Sequence, residues 1–198
     1  MPFAPKELIV KRLVAAHEAW YDVFTDYEFA DRTFDAYCEF HSHGEKYVLV
    51  KRAKLWEVNA HEYLFIDALD HLDAGTLDSY VEFMETRALE KVDPVPNHMQ
   101  SSLSLVIVAD RVDDEAKRAC RKTRFRKNFA LGIRGWADLR LAVVDIAGHD
   151  VVTNGAGKEM KASLEANARA DEEADGHKEK GSIECTQWFC SLSLRSFS

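Results

Sequence analysis

The stretch SSLSLVIVA, residues 101–109, carries Leu103, Leu105, Val106, Ile107 and Val108 with no charge, and it has the length of a strand. Side chains of a strand alternate between faces, so a run that is apolar at consecutive positions predicts a strand covered on both faces. The residues beyond it decide the fold class. Asp113 offers a helix N-cap, and the helix is predicted to run through about Asn128. Gly132 and Gly135 then break the chain before a second buried strand, Leu139 to Ile146. Strand, helix, strand implies a right-handed parallel crossover, and with it an α/β (or α+β) domain.

Toward the N-terminus, Tyr63, Leu64, Phe65 and Ile66 stand consecutively in His61 to Leu69, predicting a further inner strand. Between these strands a helix is predicted from an N-cap at Thr76 through about Val92, with Leu77, Tyr80, Val81, Met84 and Ala88 as its stripe, ended by Pro94 and Pro96. Thr33 to His41 has period two, Phe34, Ala36, Cys38 and Phe40 on one side and Asp35, Tyr37, Glu39 and His41 on the other. A turn at Ser42–Glu45 and a return strand from Lys46 to Val58 complete a hairpin. The chain opens with a helix from about Pro5 to Phe24, on which Ile9, Leu13, Ala16, Trp20 and Phe24 share a face. It closes with a short strand at Val151–Thr153 and a helix from Lys158 to Ala170. The expected order is α-β-β-β-α-β-α-β-β-α around a mixed sheet of five or six strands.

A chain of 198 residues is long enough for one such domain and a tail. Residues 1–170 are expected to form the domain, because Asp171 to Gly181 is almost entirely charged or small and offers little apolar surface to bury; 171–198 read as a charged linker and C-terminal tail. With 46% hydrophobic and 30% charged residues, the composition excludes collagen-like, mucin-like and wholly disordered chains. No apolar run approaches the roughly 20 residues that span a bilayer, and Lys11 and Arg12 interrupt Leu8 to Ala16, so a signal h-region is not expected. These features predict a cytoplasmic protein without a membrane partner. Cys38, Cys120, Cys185 and Cys190 form no C-x-x-C pair, and reduced thiols are expected.

The net charge of −8 hides a partition. Residues 111–140 hold ten Lys/Arg against Asp113, Asp114, Glu115 and Asp138, whereas ten acids between Glu57 and Asp93 face only Arg87 and Lys91. Arg121, Lys122, Arg124 and Arg126 are therefore candidate binding residues. The basic helix is expected to pair with the acidic segment, of the same chain, of a second copy or of a protein partner. Overall acidity argues against nucleic acid. Asp110 and Arg111 join the candidates because ligands of parallel α/β units favour the carboxyl ends of strands.

His41 and His43 form an H-x-H pair, and alternate strand positions share a face, so both imidazoles could reach one metal with Glu39 beside them. A third or fourth ligand is not evident, and no cofactor is expected. No nucleophile elbow, P-loop or G-x-G-x-x-G turn occurs, and Asn154-Gly155-Ala156-Gly157 is too short for phosphate binding.

The order α-β-β-β-α-β over residues 5–109 resembles, in topology, the core of the PD-(D/E)xK nuclease superfamily. That resemblance implies an acid on the second strand and, on the third, an Asp or Glu two residues before a lysine, to hold Mg²⁺ and steady the attacking water. Here His61-Glu62-Tyr63-Leu64 puts leucine where the lysine should stand; Glu159-Met160-Lys161 has the spacing but lies on a predicted helix outside that core. The segment Lys51, Ala53-Lys54-Leu55-Trp56-Glu57 with Glu62-Tyr63 and Phe65 is similar to uncharacterised bacterial hypothetical proteins, over Tyr27 to Lys158. Together these features predict a non-catalytic binding or regulatory domain, with a divergent nuclease or nucleic-acid-associated protein as the alternative.

Overall fold

The computed structural model describes residues 2–47, 54–94 and 98–170, the stretches 41–47, 54–60 and 98–99 by backbone alone. Helix α1, Lys6–His17, follows Pro5 and buries Ile9, Leu13 and His17. It stops well short of the expected Phe24. Asp22–Phe29 is instead strand β1, antiparallel to β2, Arg32–Tyr47, in a register running from Asp22↔Glu39 to Phe29↔Arg32. A full strand pairing outweighs two more turns of helix, and Trp20 and Phe24, expected on the core face, are largely exposed.

Strand β3, Lys54–Leu72, pairs antiparallel with β2 without interruption from Ala36↔Ile66 to Glu45↔Glu57. The expected turn at Ser42–Glu45 is therefore ladder, Gly44 included, and the two predicted strands 46–58 and 61–69 divide differently between β2 and β3. The connection itself, 48–53, lies outside the described residues. Helix α2, Ala74–Thr86, is capped by Asp73, whose carboxylate accepts from the Thr76 amide at 2.7 Å, so the cap falls three residues before the expected one. A 3₁₀ turn at Ala88–Lys91 finishes the segment predicted as helix.

Strand β4, His98–Val112, lies parallel to β3, and helix α3, Asp114–Lys122, follows its predicted N-cap Asp113. Helix α3 buries only Ala116 and Cys120 and ends at Lys122, not at Asn128. Its buried stripe, Ala116 and Cys120 with Ala119 beside them, meets Thr123, Arg124 and Lys127 at the next helical positions and has no apolar residue to extend it, and Arg126–Asn128 becomes β5, antiparallel to β6, Trp136–Asp145. Strand β6 is parallel to β4, as the crossover requires, and pairs antiparallel with β7, Asp150–Thr153. Helix α4, Lys161–Ala168, ends the described fold.

The fold is a mixed seven-stranded sheet in the order β1-β2-β3-β4-β6-β5, with β7 also on β6. Helices α2 and α3 cover one face, over Phe34, Tyr37, Phe65, Leu105, Ile107, Leu141 and Val143. Helices α1 and α4 cover the other, over Ala36, Leu64, Ile66, Val106, Val108, Ala142 and Val144. Burial of β3, β4 and β6 on both faces explains their continuous apolar runs.

The Asn154–Gly157 segment is structural. The buried Asn154 amide accepts from Leu141 N at 3.1 Å and Gly157 N at 2.8 Å, and donates to Leu139 O at 2.9 Å and Thr123 O at 3.3 Å. At Gly157 a Cβ would meet the Leu141 carbonyl at 2.8 Å. Asn154→Ala would leave these backbone groups unpaired in the core, and should cost about 3 kcal/mol in urea unfolding; a loss below about 1 kcal/mol would contradict the pinning role.

Candidate functional site

The residues chosen from sequence do not gather in one place. Asp110 and Arg111 lie within β4, which continues to Val112. Asp110 accepts from Lys6 Nζ at 2.8 Å, and the same ammonium pairs with Asp70 at the end of β3. Lys6 thus ties the first turn of α1 to the carboxyl ends of two parallel strands, where a ligand was expected, and these two acids raise its pKa. Arg111 is exposed, in register with His71, whose ring pairs with Asp113 at 2.8 Å.

Arg121 and Lys122 occupy the last turn of α3, Arg124 follows it, and Arg126 is on β5, so the expected single basic helix is divided. Among the described ion pairs of this region, those of Lys117, Arg121 and Arg126 reach nearby acids, while Arg140 of β6 stands 3.7 Å from Glu62 in the acidic segment. Lys117 meets Asp145 at 2.5 Å, Arg121 meets Asp150 at 3.8 Å, and Arg126 binds Asp138 through two nitrogens at 2.7 and 3.1 Å. Within the chain, the described ion pairs of α3 itself are with acids beside or on it.

Glu39 accepts from the Tyr37 hydroxyl at 2.6 Å. His41 and His43 stand on continuous strand, opposite His61 and Asn59, so they still share a face, but not at a hairpin tip. Their side chains lie outside the described residues, and the metal expectation rests with them. Among the described residues no three His, Cys, Asp or Glu side chains are placed to hold a metal. The thiols of Cys38 and Cys120 are buried, and burial pushes both up to about 12, far from a nucleophile's range.

Two polar clusters join residues that no sequence motif connects. On the α1 face, Glu62 of β3 is buried and accepts from Ser104 Oγ at 2.8 Å and Tyr21 OH at 2.9 Å, with buried Arg140 at 3.7 Å. Both carboxylate oxygens are engaged, and Leu64, where the nuclease pattern needs lysine, is core. His17 caps this cluster from α1; burial lowers its pKa, and its Nδ1 lies 2.7 Å from the Leu13 carbonyl.

On the α2 face, Asp67 of β3 accepts from Tyr80 OH and, at 3.1 Å, from the Ala68 amide, which also donates to Asp35 at 2.7 Å. Asp35 and Asp67 are the positions one step past the Ala36↔Ile66 pair, so two acids converge on one N–H. Burial first, then the adjoining Asp35, pushes the Asp67 carboxyl up to about 6.

The third feature is the loop between β5 and β6. Phe129 N bonds Gly135 O at 2.9 Å, and further bonds from Gly132, Ile133, Arg134 and Gly135 close residues 129–135 on themselves. Ala130, Leu131 and Gly132 all have positive φ, +47°, +56° and +90°. Two non-glycine residues in the left-handed region are a local cost. The result of this backbone is that Leu131 is 99% and Ile133 86% exposed. Phe125 and Phe129 pack on the α2/α3 core and anchor the base. From Arg124 to Ala137 the sequence carries Arg124, Arg126, Lys127 and Arg134 and no acid. In the sequence Gly132 and Gly135 read as chain breakers only; the apolar tip, Leu131 and Ile133 on either side of Gly132, has no period to mark it.

Over residues 5–166 the sequence matches a family described as Domain of unknown function (DUF8052). The chain belongs to this family. The match covers most of the chain and agrees with the expected kinship to uncharacterised proteins. No curated protein and no solved structure matches the chain. What the DUF8052 fold can do is therefore read from its own contacts, with no relative's activity to carry over.

The pH dependence of the Asp67 cluster has a definite sign. A carboxyl whose folded-state pKa lies above that of the unfolded chain, about 4, contributes stability that is complete below that value and is lost as pH rises through about 6. Asp67→Asn removes the titration. The variant should therefore gain on wild type between pH 4 and pH 7, by roughly 2 kcal/mol, read as several degrees in the difference of melting midpoints. A difference that stays constant over this range would contradict the buried setting of Asp67.

Proposed function

We propose that this DUF8052 domain is a non-catalytic binding module and that its contact surface is the β5–β6 hairpin with the 129–135 loop. The observation that carries the reading is the near-complete exposure of Leu131 and Ile133 on a hydrogen-bonded loop. Two large aliphatic side chains held in water each forgo roughly 1.5–3 kcal/mol of burial. Backbone in the left-handed region adds to that cost, and the fold gains nothing in return unless a partner covers them. Around the tip, exposed Arg124 and Lys127 suit an anionic partner.

The acids that a hydrolytic reading would use support the same view. Glu62 and Asp67 are both buried, and each is bonded to side chains of its own domain. Neither has the lysine that the nuclease resemblance implies.

A test that needs no knowledge of the partner is the stability of Leu131→Ser/Ile133→Ser. Side chains kept for binding contribute nothing to the isolated fold, so the double variant should melt within about 1–2 °C of wild type, under the shift that 1 kcal/mol produces at this size. A drop of several degrees would show that both residues pack within the chain and would remove the proposed surface.

A further inference from the structure

Resting on that reading, we infer that the partner of the β5–β6 hairpin is a second copy of this chain, met at its β1 edge. The sheet has two ends, and they are opposite in charge. Residues 18–31, which lead into β1 and through it, carry Glu18, Asp22, Asp26, Glu28 and Asp31 and no Lys or Arg. All five acids are exposed, and none takes part in an ion pair among the described residues. Arg32, which follows them, is turned to α2, where it bonds Ser79 Oγ at 2.8 Å and stacks over the Tyr80 ring at 4.0 Å. At the other end of the sheet, Asp138 holds Arg126 in a two-pronged pair, and Lys122, Arg124 and Lys127 are exposed with no ion pair among the described residues. Apolar surface is matched as well. The hairpin presents Leu131 and Ile133, and β1 presents Phe24, 47% exposed, its ring 5.9 Å from Tyr27 and 6.0 Å from Tyr37. Lys91 Nζ, from the 3₁₀ turn after α2, lies 5.2, 4.8 and 4.5 Å from the ring centroids of Tyr27, Phe29 and Tyr37. The rings of this edge thus already receive a lysine, the chemistry that the hairpin brings.

The two surfaces cannot satisfy each other within one chain. Strands β1 and β5 end the order β1-β2-β3-β4-β6-β5, so they stand five strand steps, or roughly 24 Å, apart. A hairpin that meets another copy's β1 leaves its own β1 and the other's hairpin unused. The contact is therefore head-to-tail, and it repeats into a ring or a chain of copies. Side chains carry it, because neither edge offers a long ladder: β5 has three residues, and Asp26, at φ +50°, interrupts the extended backbone of β1. At physiological salt a charge is felt over about 8 Å, so the residues that face each other, and not the net charge of −8, decide whether two copies attract. No helix among the described residues is long and apolar enough to cross a membrane, and the surface inferred for the hairpin is protein. The second copy expected from the charge partition thus enters through other elements, with the acids of residues 18–31 in place of those from Glu57 to Asp93 and the hairpin in place of α3.

The experiment is sedimentation velocity of the full chain at physiological salt, from micromolar to submillimolar concentration. The wild type should self-associate, with species beyond the dimer at the upper end. Leu131→Ser/Ile133→Ser removes one half of the contact and should weaken association at least about tenfold. Asp22→Asn/Asp26→Asn/Glu28→Gln removes the other half and should weaken it about fivefold or more. An equal mixture of these two variants pairs the intact β1 edge of one with the intact hairpin of the other, so it should form a complex of two chains and nothing larger. Lys122→Gln/Arg124→Gln/Lys127→Gln repeats the hairpin arm with the loop untouched and should behave in the mixture as Leu131→Ser/Ile133→Ser does. A wild type that stays monomeric overturns the inference and leaves the hairpin as a contact surface for another partner. Association lost in Leu131→Ser/Ile133→Ser but unchanged in Asp22→Asn/Asp26→Asn/Glu28→Gln would mean that hairpin meets hairpin, and only the β1 assignment fails. Association indifferent to every hairpin variant removes the contact-surface reading together with the inference.

Discussion

Strands β3, β4 and β6 are buried on both faces, and this constraint governs the rest of the molecule. A strand open to water on one face can carry polar residues there at no cost. A strand covered by α1 and α4 on one side and by α2 and α3 on the other cannot, so each polar side chain on it must find a partner inside the protein. Glu62, Ser104 and Arg140 do so with Tyr21, and Asp67 does so with Tyr80 and the Ala68 amide. At the exposed carboxyl ends of β3 and β4, Lys6 pairs with Asp70 and Asp110.

Apart from Asp145 Oδ1, a buried oxygen at the end of β6 with no hydrogen-bond partner among the described residues, the carboxylates of the inner strands named above are engaged within the domain, which leaves other chemistry to the sheet's margins. The β5–β6 hairpin is such a margin. Strand β5 is the short edge of the sheet, and the loop that leaves it is ordered by backbone bonds that hold aliphatic residues outward. The same division accounts for the charges. Cations of α3 are paired with Asp145 and Asp150 near the helix, whereas Arg124 and Lys127 stand exposed around the hairpin. The charge partition visible in the composition is therefore two structures: a helix paired to its own neighbourhood, and a hairpin turned to the exterior.

The fold was legible where a pattern is local. Residues 101–109 and 139–146 could pack only as inner strands, Asp113 could only begin a helix, and their order required the parallel pair β4–β6. Boundaries were illegible where two patterns overlap. Phe24 fits a helical face as well as it fits an edge strand, and only the presence of β2 decides between them. Gly44 reads as a turn residue until the register of β2 on β3 is known. The buried clusters were hidden for a different reason. Tyr21 and Ser104 stand 41 and 42 residues from Glu62 in the chain, so no spacing rule joins them. Leu131 and Ile133 were hidden by their chemistry, because an apolar residue in a sequence reads as core and its exposure is a property of the folded backbone alone.

A binding role for the hairpin requires the 129–135 loop to be a fixed platform on a rigid sheet, with exposed side chains above a bonded backbone. Residue-resolved amide hydrogen exchange measures this directly. The amides of Phe129, Gly132, Ile133, Arg134 and Gly135 each have a backbone acceptor in the loop and should exchange well below the rate of an unstructured peptide, in the same sample in which β4 and β6 amides exchange slowest. Exchange of those five amides at the unstructured rate would mean that the loop has no fixed shape, and that Leu131 and Ile133 are not presented to anything.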